Sequence, residues 1–480
     1  MPIQSFDFKS WVLQQSGHYD LKEVDENHIQ IETEFGIAEV NFYNLDNEPD
    51  VVELRITCKR TNTTKFFLHF QAVHPEHAQD LFNEMISSLL ALKENQTVKV
   101  LLCCSAGMTT SFFAQKLNET AKIMEEDISF DAVSVNEVYL HVQENEAILV
   151  APQVGYEASK LANNLPDKLI LKIPTKIFAS YDAVECITFV KKEISDYHKN
   201  KKIKKVKCEC CNKEHVGKIL TIATAPSTKE TRIRYRVYEE GKIIEDREVI
   251  KKYLDLHDID DIIDVEICRN TGTPFDAVCI ALPGVVHDGK LDLPKTRGIN
   301  LQGTVDNLFD IQKYFEDCVD IPVIVENNAN CAAYGWYHSQ EEYENICLMS
   351  QPTGWVIGGQ GNVVNGRLVR GAHGIAGEIK YILECIQFNR PLHIHAYDAS
   401  SMKEVISKAI LANISILDPE VVVLRSDMFI DVKEIEEQLS KYLPKIRMPK
   451  IVHMQDFNEY VLLGQERLAV DLLKKGRRNE

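Results

Sequence analysis

The chain has 480 residues, and 45% of them are hydrophobic, which is enough to bury several cores and excludes both a single small module and a disordered chain. At about 150 residues per domain, this length predicts roughly three domains. The 54 basic and 72 acidic residues give a net charge of −18. That balance disfavours broad binding to nucleic acid or to anionic membranes.

The thirteen cysteines are too irregularly spaced, in too long a chain, to indicate a disulfide framework, so we expect reduced and mostly buried thiols. The first 17 residues have no apolar core of signal-peptide length. No apolar run of about 18 residues predicts a membrane span. A cytoplasmic location is therefore expected.

Residues 1–95 are expected to form an α+β domain, to which the sequence assigns no role. Polar alternation predicts strands at 28–32, 52–56 and 66–70. Apolar residues at helical spacing predict a helix over 75–93. No chemical motif and no helix-turn-helix pattern is found here.

Residues 97–197 alternate apolar strand patterns with helical ones, which predicts a parallel sheet. The strands are expected at 98–103, 147–151 and 168–172. A turn of small residues, 104–111, follows the first strand. It leads into a helix with an apolar stripe of Phe113, Leu117, Ala121 and Met124.

A basic and cysteine-rich linker, 198–216, comes next and is interpreted as a solvated connector. Its cysteines and histidine are close enough to hold zinc, but the usual paired knuckle is missing. We therefore predict no metal, and keep as weak candidates Cys208, Cys210, Cys211 and His215.

Residues 217–480 are long enough for two lobes. Buried strands are predicted at 219–223, 277–281, 324–325 and 421–424, with a hairpin around Glu240 and Gly241. Between them lies a glycine-rich stretch from Gly354 to Gly377, in which the glycines at 358, 359 and 361 fit a hairpin equally well.

Cys104 lies where a buried strand is predicted to end and a helix to begin. A helix N-terminus presents free N–H groups and about half a positive charge, which favours a thiolate. Small residues let those donors approach a tetrahedral anion, and hydroxyls add hydrogen bonds. The predicted phosphate-binding loop comprises Ser105, Ala106, Gly107, Met108, Thr109, Thr110 and Ser111. As an alternative, Cys104 is simply a small core residue.

The same turn occurs in cysteine phosphatases, which clamp phosphate with an arginine six residues after the nucleophile. That position is Thr110 in this chain. Relay of a phosphoryl group to another acceptor is therefore favoured over hydrolysis.

Two segments resemble the IIB component of the lactose/cellobiose-type sugar phosphotransferase system: 101–111, LLCCSAGMTTS, and 151–156, APQVGY. The resemblance covers about 97–197 and implies a flavodoxin/phosphatase-like parallel-sheet domain. It implies that Cys104 receives a phosphoryl group from a phosphohistidine on a IIA partner. The family normally passes that group to a sugar held by a membrane IIC partner. Cys103 is expected to be structural.

Residues 217–475 resemble the ROK family of sugar kinases and repressors, which has two actin/hexokinase-like lobes around a cleft. The matching segments are 281–286, ALPGVV; 325–333, VENNANCAA; 365–378, NGRLVRGAHGIAGE; and 417–424, LDPEVVVL. The resemblance implies sugar contacts at Asn327, Asn328 and Glu378, while Tyr381 stands where the family has a histidine.

The departures from the ROK pattern fall on catalysis. Asn328 replaces the aspartate that serves as general base, and an amide cannot accept that proton usefully. The first phosphate loop reads ATAPST at 223–228, without glycine, and its proline removes a donor. The second contains Trp355, and of the family's cysteine-rich zinc segment only Cys385 remains nearby. The half is interpreted as a sugar-binding domain that no longer phosphorylates; the alternative is an empty scaffold.

The leading hypothesis is a regulator of sugar uptake, with phosphorylation on Cys104 and a ROK-like sensor of a sugar or sugar phosphate. The alternatives are a working IIB transport component, an ATP-dependent sugar kinase, and a repressor binding DNA, for which no winged helix is found. The expected partners are a IIA donor, a sugar ligand and, under the second hypothesis, a IIC component. No cofactor or nucleic acid is expected, and a homo-oligomer is left open.

Overall fold

The computed structural model describes most of the chain. Outside the described residues lie 1–5, 44–50, 60–61, 93–97, 106–107, 125, 127, 143–144, 166–167, 201–216, 227–230, 253, 270–273, 293–298, 301–307, 353–354, 397–398, 427–430, 455 and 478–480. Among the remaining helices, none has both the length and the apolar character needed to cross a lipid bilayer.

The N-terminal unit is an antiparallel meander of five strands covered by two helices. Its elements are α1 (Phe8–Leu13), β1 (Asp20–Asp25), β2 (His28–Glu32), β3 (Gly36–Tyr43), β4 (Val51–Cys58), β5 (Thr64–Gln71) and α2 (Pro75–Ala91). The three predicted strands and the predicted helix are confirmed. Alternating residues of β2 and β3 are buried because successive side chains of a strand point to opposite faces.

The second unit is a parallel sheet in the order β7-β6-β8-β9, as predicted. Strand β6 is central, so it is buried on both faces and is an unbroken apolar run from Val100 onwards. The elements are β6 (Val98–Cys104), α3 (Met108–Ile123), β7 (Ile128–Ser134), α4 (Val138–His141), β8 (Ala147–Val150), α5 (Ala158–Asn164), β9 (Leu169–Lys172), α6 (Thr175–Ser180) and α7 (Ala183–Asn200).

The third unit has two lobes, as its length predicted. Lobe 1 comprises β10 (Lys218–Pro226), β11 (Thr231–Glu239), β12 (Lys242–Lys251), β13 (Leu254–Asp255), α8 (Leu256–Arg269), β14 (Ala277–Leu282), β15 (Val286–His287), β16 (Lys290–Asp292), β17 (Ile299–Asn300), β18 (Leu308–Asp310), α9 (Ile311–Cys318) and β19 (Val323–Asn327). The predicted hairpin at Glu240 and Gly241 joins β11 to β12, with both residues at positive φ.

Lobe 2 begins with the helix that follows β19. It comprises α10 (Asn328–His338), β20 (Ile346–Gln351), β21 (Gly359–Val364), β22 (Arg367–Leu368), α11 (Lys380–Glu384), α12 (Leu392–His395), α13 (Ala399–Leu417), β23 (Val421–Ser426), α14 (Val432–Leu439), β24 (Lys450–His453) and α15 (Phe457–Arg477). Gly359 and Gly361 lie in β21, the second strand of the β20–β21 hairpin.

The two lobes repeat one topology. Lobe 1 has the strand order β12-β11-β10-β14-β19 and lobe 2 the order β22-β21-β20-β23-β24. In each lobe the first three strands of the chain are antiparallel and the last two join in parallel. This duplicated sheet is the arrangement of two actin/hexokinase-like lobes that the sequence predicted.

Two helices of lobe 2 cross closely, and one of them, α15, is bonded to the sheet of lobe 1. Helices α10 and α15 meet at Gly335 and Gly464, where a Cβ on Gly464 would stand 1.9 Å from the carbonyl oxygen of Cys331. Only glycine permits this approach. The Gln465 amide on α15 also donates to the carbonyl groups of Ile222 and Cys279 in the lobe 1 sheet, each at 2.8 Å.

The N-terminal unit continues the sheet of lobe 1. Strand β5 pairs antiparallel with β12, with Phe67 opposite Ile250, and the result is one sheet of ten strands. One apolar core runs through the N-terminal unit and lobe 1. It includes Phe70 and Phe82 from the N-terminal unit and Ile259 from lobe 1. Residues 1–95, which the sequence left without a role, thus extend the edge of lobe 1.

Buried ionic groups cross this junction. His77 on α2 contacts the carboxylate of Asp261 on α8, with Nε2–O distances of 3.1 and 3.0 Å. Lys251 on β12 pairs with Glu84 on α2 at 3.0 Å and also with Asp258. Burial raises the pKa of Asp261 to about 6, and the hydrogen bond that His77 donates to Asp261 raises the pKa of His77.

We expect this pair to make the junction sensitive to pH. Both folded pKa values are raised, so the folded state holds more protons, and the stabilising contribution of His77 is lost as pH rises through its raised pKa. His77→Gln keeps a donor but cannot titrate. It should cost about 1–3 kcal/mol at pH 6 and less at pH 8.5, measured by urea unfolding. An equal cost at both pH values would contradict the ionic origin of the contact.

Candidate functional sites

The predicted strand-to-helix turn lies at the carboxyl edge of the central strand of the second unit. Strand β6 ends at Cys104, which is paired in register with Ser134 of β7. Helix α3 starts four residues later, at Met108. The Cys104 side chain is buried, while Ser105 beside it is exposed, so the turn reaches the molecular surface.

Thr110 lies on the first turn of α3 and faces the sulfur of Cys104. Its Oγ1 is 2.8 Å from Sγ, within hydrogen-bond distance. Position 110 is therefore turned toward the sulfur, as the phosphatase arginine would be, but it holds a hydroxyl rather than a guanidinium. A hydroxyl can donate to a thiolate or to a bound oxyanion, but it cannot clamp a phosphate in bidentate fashion.

The remaining loop positions divide into two groups. Residues 106 and 107, and the side chains of Met108 and Thr109, lie outside what the structure describes. Ser111 is exposed on the first turn of α3. The described members of the predicted loop lie at this turn, and their binding roles stay predictions.

Cys103 and Cys104 have different surroundings although they are neighbours. Cys103 is fully buried, and burial raises the pKa of its thiol to about 12. A thiol held in that form is unreactive near neutral pH. This agrees with the expectation that Cys103 is structural.

Two exposed aromatic side chains lie on this unit near the carboxyl edge of its sheet. Phe112 follows Ser111 on α3 and is 61% exposed. Tyr156 is 75% exposed and belongs to the short 3₁₀ segment Pro152–Glu157 that follows β8. Exposed rings beside a reactive turn are typical of a surface that binds another protein.

The predicted sugar-binding residues lie where β19 of lobe 1 meets α10. Asn327 is the N-cap of α10, and its Oδ1 accepts from the backbone N–H groups of Ala329 at 2.7 Å and Asn330 at 3.3 Å. Its amide also donates to the carbonyl of Gly284, near the end of the neighbouring strand. The cap therefore joins the ALPGVV segment to the VENNAN segment.

Asn328 is held by a hydrogen bond that an aspartate could not make. Its Nδ2 donates to the carbonyl of Thr224, on β10, at 2.9 Å. Its Oδ1 has no hydrogen-bond partner among the described residues. The side chain thus ties α10 to β10 and leaves its buried Oδ1 without a partner among the described residues.

Glu326 connects this site to the loop that carries Glu378. Its two carboxylate oxygens accept from the Asn330 amide at 2.9 Å and from Arg370 Nε at 2.5 Å. Arg370 opens the loop that ends at Gly377, where a Cβ would stand 2.9 Å from the carbonyl of Gln360. The sequence analysis included Glu326 and Arg370 in the matching segments but did not predict that they pair, because they are 44 residues apart.

Glu378 lies at the end of that loop and is paired with Lys380 at 2.5 Å. Tyr381, the residue in place of the family histidine, follows and is 39% exposed. The structure therefore places Asn327, Asn328 and the Glu378 loop around the N-terminus of α10. It adds Arg370, a cation that the sequence analysis did not single out.

The second phosphate loop is closed on itself by Gln351. This fully buried side chain donates to the carbonyl groups of Pro352 at 3.0 Å and Trp355 at 2.9 Å, and accepts from Ser426 at 2.6 Å. A phosphate-binding loop presents N–H groups to the anion. Here the carbonyl groups of Pro352 and Trp355, on either side of 353–354, accept hydrogen bonds from the Gln351 amide.

The metal candidates Cys208, Cys210, Cys211 and His215 lie outside the described residues. Two further cysteines of the ROK half, Cys279 and Cys347, are buried, and burial raises the pKa of both thiols. They are therefore core residues rather than reactive thiols.

Family models match both halves of the chain. The model for "PTS system, Lactose/Cellobiose specific IIB subunit" matches residues 99–207, and the model for "ROK family" matches residues 231–389. The chain thus carries a lactose/cellobiose-type IIB domain joined to a ROK domain, as the two motif sets predicted.

Curated relatives match parts of the chain. A beta-glucoside kinase of Listeria monocytogenes is 32% identical over 25% of this chain and 40% of its own length. A xylose repressor of Bacillus spizizenii is 29% identical over 27% of this chain and 32% of its length. The oligo-beta-mannoside-specific EIIB component of Bacillus subtilis is 33% identical over 13% of this chain and 61% of its own length. The chain thus spans about a third to three fifths of these relatives.

Among solved structures, a ROK hexokinase from Thermus thermophilus matches with a TM-score of 0.41 at 18% identity. The match covers 54% of this chain and 99% of that one.

We predict that Thr110→Val slows the reaction of Cys104 with iodoacetamide about tenfold at pH 7, because the thiolate loses a charge-assisted hydrogen bond. Thr110→Ser keeps the hydroxyl and should react at nearly the wild-type rate. Peptide mass spectrometry distinguishes Cys104 from the other thiols. Equal rates for the valine and serine variants would show that the hydroxyl does not act on the sulfur.

We also predict that Asn328→Asp does not produce an ATP-dependent sugar kinase and destabilises the protein. The carboxylate would face the Thr224 carbonyl without a proton to donate, at a cost of about 1–3 kcal/mol. The measurements are urea unfolding and ADP release with a panel of hexoses. Asn328→Ala serves as the control that removes the hydrogen bond without adding a charge; ADP release by the aspartate variant would contradict the assignment.

Proposed function

We propose that this protein is a cytoplasmic regulator linked to the sugar phosphotransferase system. The IIB domain accepts a phosphoryl group on Cys104 from the phosphohistidine of a IIA protein. The ROK domain binds a sugar or a sugar phosphate without phosphorylating it. One observation carries the proposal: a phosphoacceptor turn with a hydroxyl at the sulfur is joined to a kinase fold whose base and phosphate loops are replaced.

The transfer step needs only groups that this turn provides. The thiolate of Cys104 attacks phosphorus, the S–P bond forms and the N–P bond of the donor histidine breaks. The leaving imidazole keeps the electron pair of that bond and takes up a proton. The start of α3 favours the anionic sulfur before transfer and the phosphoryl oxygens after it, and the Thr110 hydroxyl can donate to either.

The ROK domain keeps binding groups where it has lost catalytic ones. Asn327 and Glu378 remain, and the unpartnered Oδ1 of Asn328 can accept a hydrogen bond from a sugar hydroxyl. That oxygen has no useful basicity, so it cannot prepare the hydroxyl for attack on ATP. The proline at 226 removes an N–H donor from the first nucleotide loop, and in the second the Trp355 N–H donates to the carbonyl of Pro352.

Regulation through a sugar is also supported by the names of the relatives of the ROK half. A relative of its ROK half is named a xylose repressor, while another is named a beta-glucoside kinase. The fold therefore serves both sensing and catalysis. The replaced residues favour sensing, and they speak against ATP-dependent kinase activity in this chain.

The second candidate is a working IIB transport component. It is favoured by the Cys104 turn alone, since the turn is the same in a protein that passes its phosphoryl group to a sugar. A IIC partner and a sugar would then discharge the phosphorylated protein within seconds to minutes. A regulator keeps the group until the IIA partner removes it.

The test of the proposed function is phosphorylation of the full chain. Purified protein is incubated with ³²P-phosphoenolpyruvate, the general phosphotransferase proteins and a lactose/cellobiose-type IIA protein. We expect label on Cys104, found by mass spectrometry as a thiophosphate ester, and at least a hundredfold loss in Cys104→Ser. Cys385→Ser removes an exposed thiol of the ROK domain and should label like the wild type. Full labelling of Cys104→Ser would overturn the proposal.

A further inference from the structure

The IIB domain has a second feature at the edge where Cys104 lies. The strand beside β6 ends at Ser134, in register with Cys104, and the 3₁₀ segment Val135–Glu137 follows directly. We refer to Val135–Glu137 as the edge segment. The Ser134 hydroxyl donates to the Glu137 carboxylate at 2.9 Å, which fixes the start of the segment. Asn136 and Glu137 are exposed.

The edge segment contacts α13, a 19-residue helix of lobe 2. The phosphoacceptor edge of the IIB domain is therefore turned toward the ROK domain. A IIA protein has to reach the same edge to bring its phosphohistidine to Cys104. A IIA protein that touches the edge segment on its way to Cys104 would compete with α13 for that segment.

Short connections keep the two domains together. Six residues, 92–97, separate the end of α2 from the start of β6, and they span at most about 25 Å. Seventeen residues, 201–217, separate α7 from β10. Both connections lead to the single body formed by the N-terminal unit and lobe 1. Such tethers give an effective concentration in the millimolar range, so a small contact is enough to hold the domain.

Helix α13 is also hydrogen-bonded to β21, the strand that lies beside Gly377. Asn413 and Gln360 exchange two amide hydrogen bonds, at 3.0 and 2.7 Å, and both side chains are buried. Gln360 lies on β21, and its carbonyl faces Gly377, the residue before Glu378. Contacts thus run from the Glu378 loop through Gln360 and Asn413 into α13, and from α13 to the edge segment.

We propose that α13 is a docking surface for the phosphoacceptor edge of the IIB domain and that it couples the two sites. In the docked state, α13 occupies the Val135–Glu137 side of the edge and slows the approach of a IIA protein to Cys104. A shift of the Glu378 loop reaches α13 through the amide pair and changes the docked population. By linkage, phosphorylation of Cys104 acts back on that loop to the same extent. This coupling rests on the proposed function, whereas the docking does not.

The docking is tested with Asn136→Arg, which places a long charged side chain on the edge segment. Hydrogen–deuterium exchange of the full chain should become at least threefold faster in α13 peptides. Labelling of Cys104 by the IIA protein should become about tenfold faster. Thr188→Arg adds the same side chain to an exposed position of α7 and should change neither rate. Unchanged exchange in α13 would overturn the docking.

The coupling is tested with Asn413→Leu, which removes the amide pair with Gln360. When Asn413 is intact, the Asn136→Arg substitution and phosphorylation of Cys104 should each change hydrogen–deuterium exchange in peptides covering 371–378 at least twofold. In the Asn413→Leu background this response should disappear while the melting temperature confirms folding. A response that persists would overturn the route through Asn413. If Cys104 takes no label but Asn136→Arg still acts on α13, the proposed function fails and the docking stands.

Discussion

The pairing of β5 with β12 is the constraint on which the architecture depends. It joins a five-stranded meander to the outer strand of lobe 1, so the edge of a sheet that would otherwise present unpaired N–H and C=O groups is covered. The shared core and the His77–Asp261 contact fix that union. Because both chain connections of the IIB domain start from this body, the IIB domain is an insertion held at both ends rather than a module at the end of a linker.

In the ROK domain, carboxamide side chains stand at the two loops where the resemblance implied nucleotide binding. The amide of Asn328 holds Thr224, and the amide of Gln351 holds the turn at Pro352 and Trp355, so two carboxamides stabilise the loops that would otherwise approach a nucleotide. Each of these hydrogen bonds needs an N–H donor that an aspartate or glutamate lacks. The two carboxamides therefore stabilise the two loops in the form seen here.

The two candidate sites lie on parts of the molecule with different mechanical freedom. The Asn327–Glu378 site is formed by strand ends and a helix cap within one pair of lobes. The Cys104 turn belongs to a separate parallel-sheet domain that contacts lobe 2 at α13. Helix α13 touches both the edge segment beside Cys104 and, through Asn413, the strand behind Gly377. A regulator needs such an element, with a stable side and a side that can be released.

The sequence by itself determined the local structures: the strand, small-residue turn and helix at Cys104, the strands at 28–32, 52–56 and 66–70, and the hairpin at Glu240 and Gly241. Each depends on residues that are neighbours in the chain, through periodicity, capping and turn chemistry. Only the tertiary structure decided that residues 1–95 extend lobe 1, that Arg370 pairs with Glu326, and that the edge segment faces α13. These contacts join residues tens to hundreds of positions apart. Nothing in the local pattern favours one distant partner over another until the elements pack.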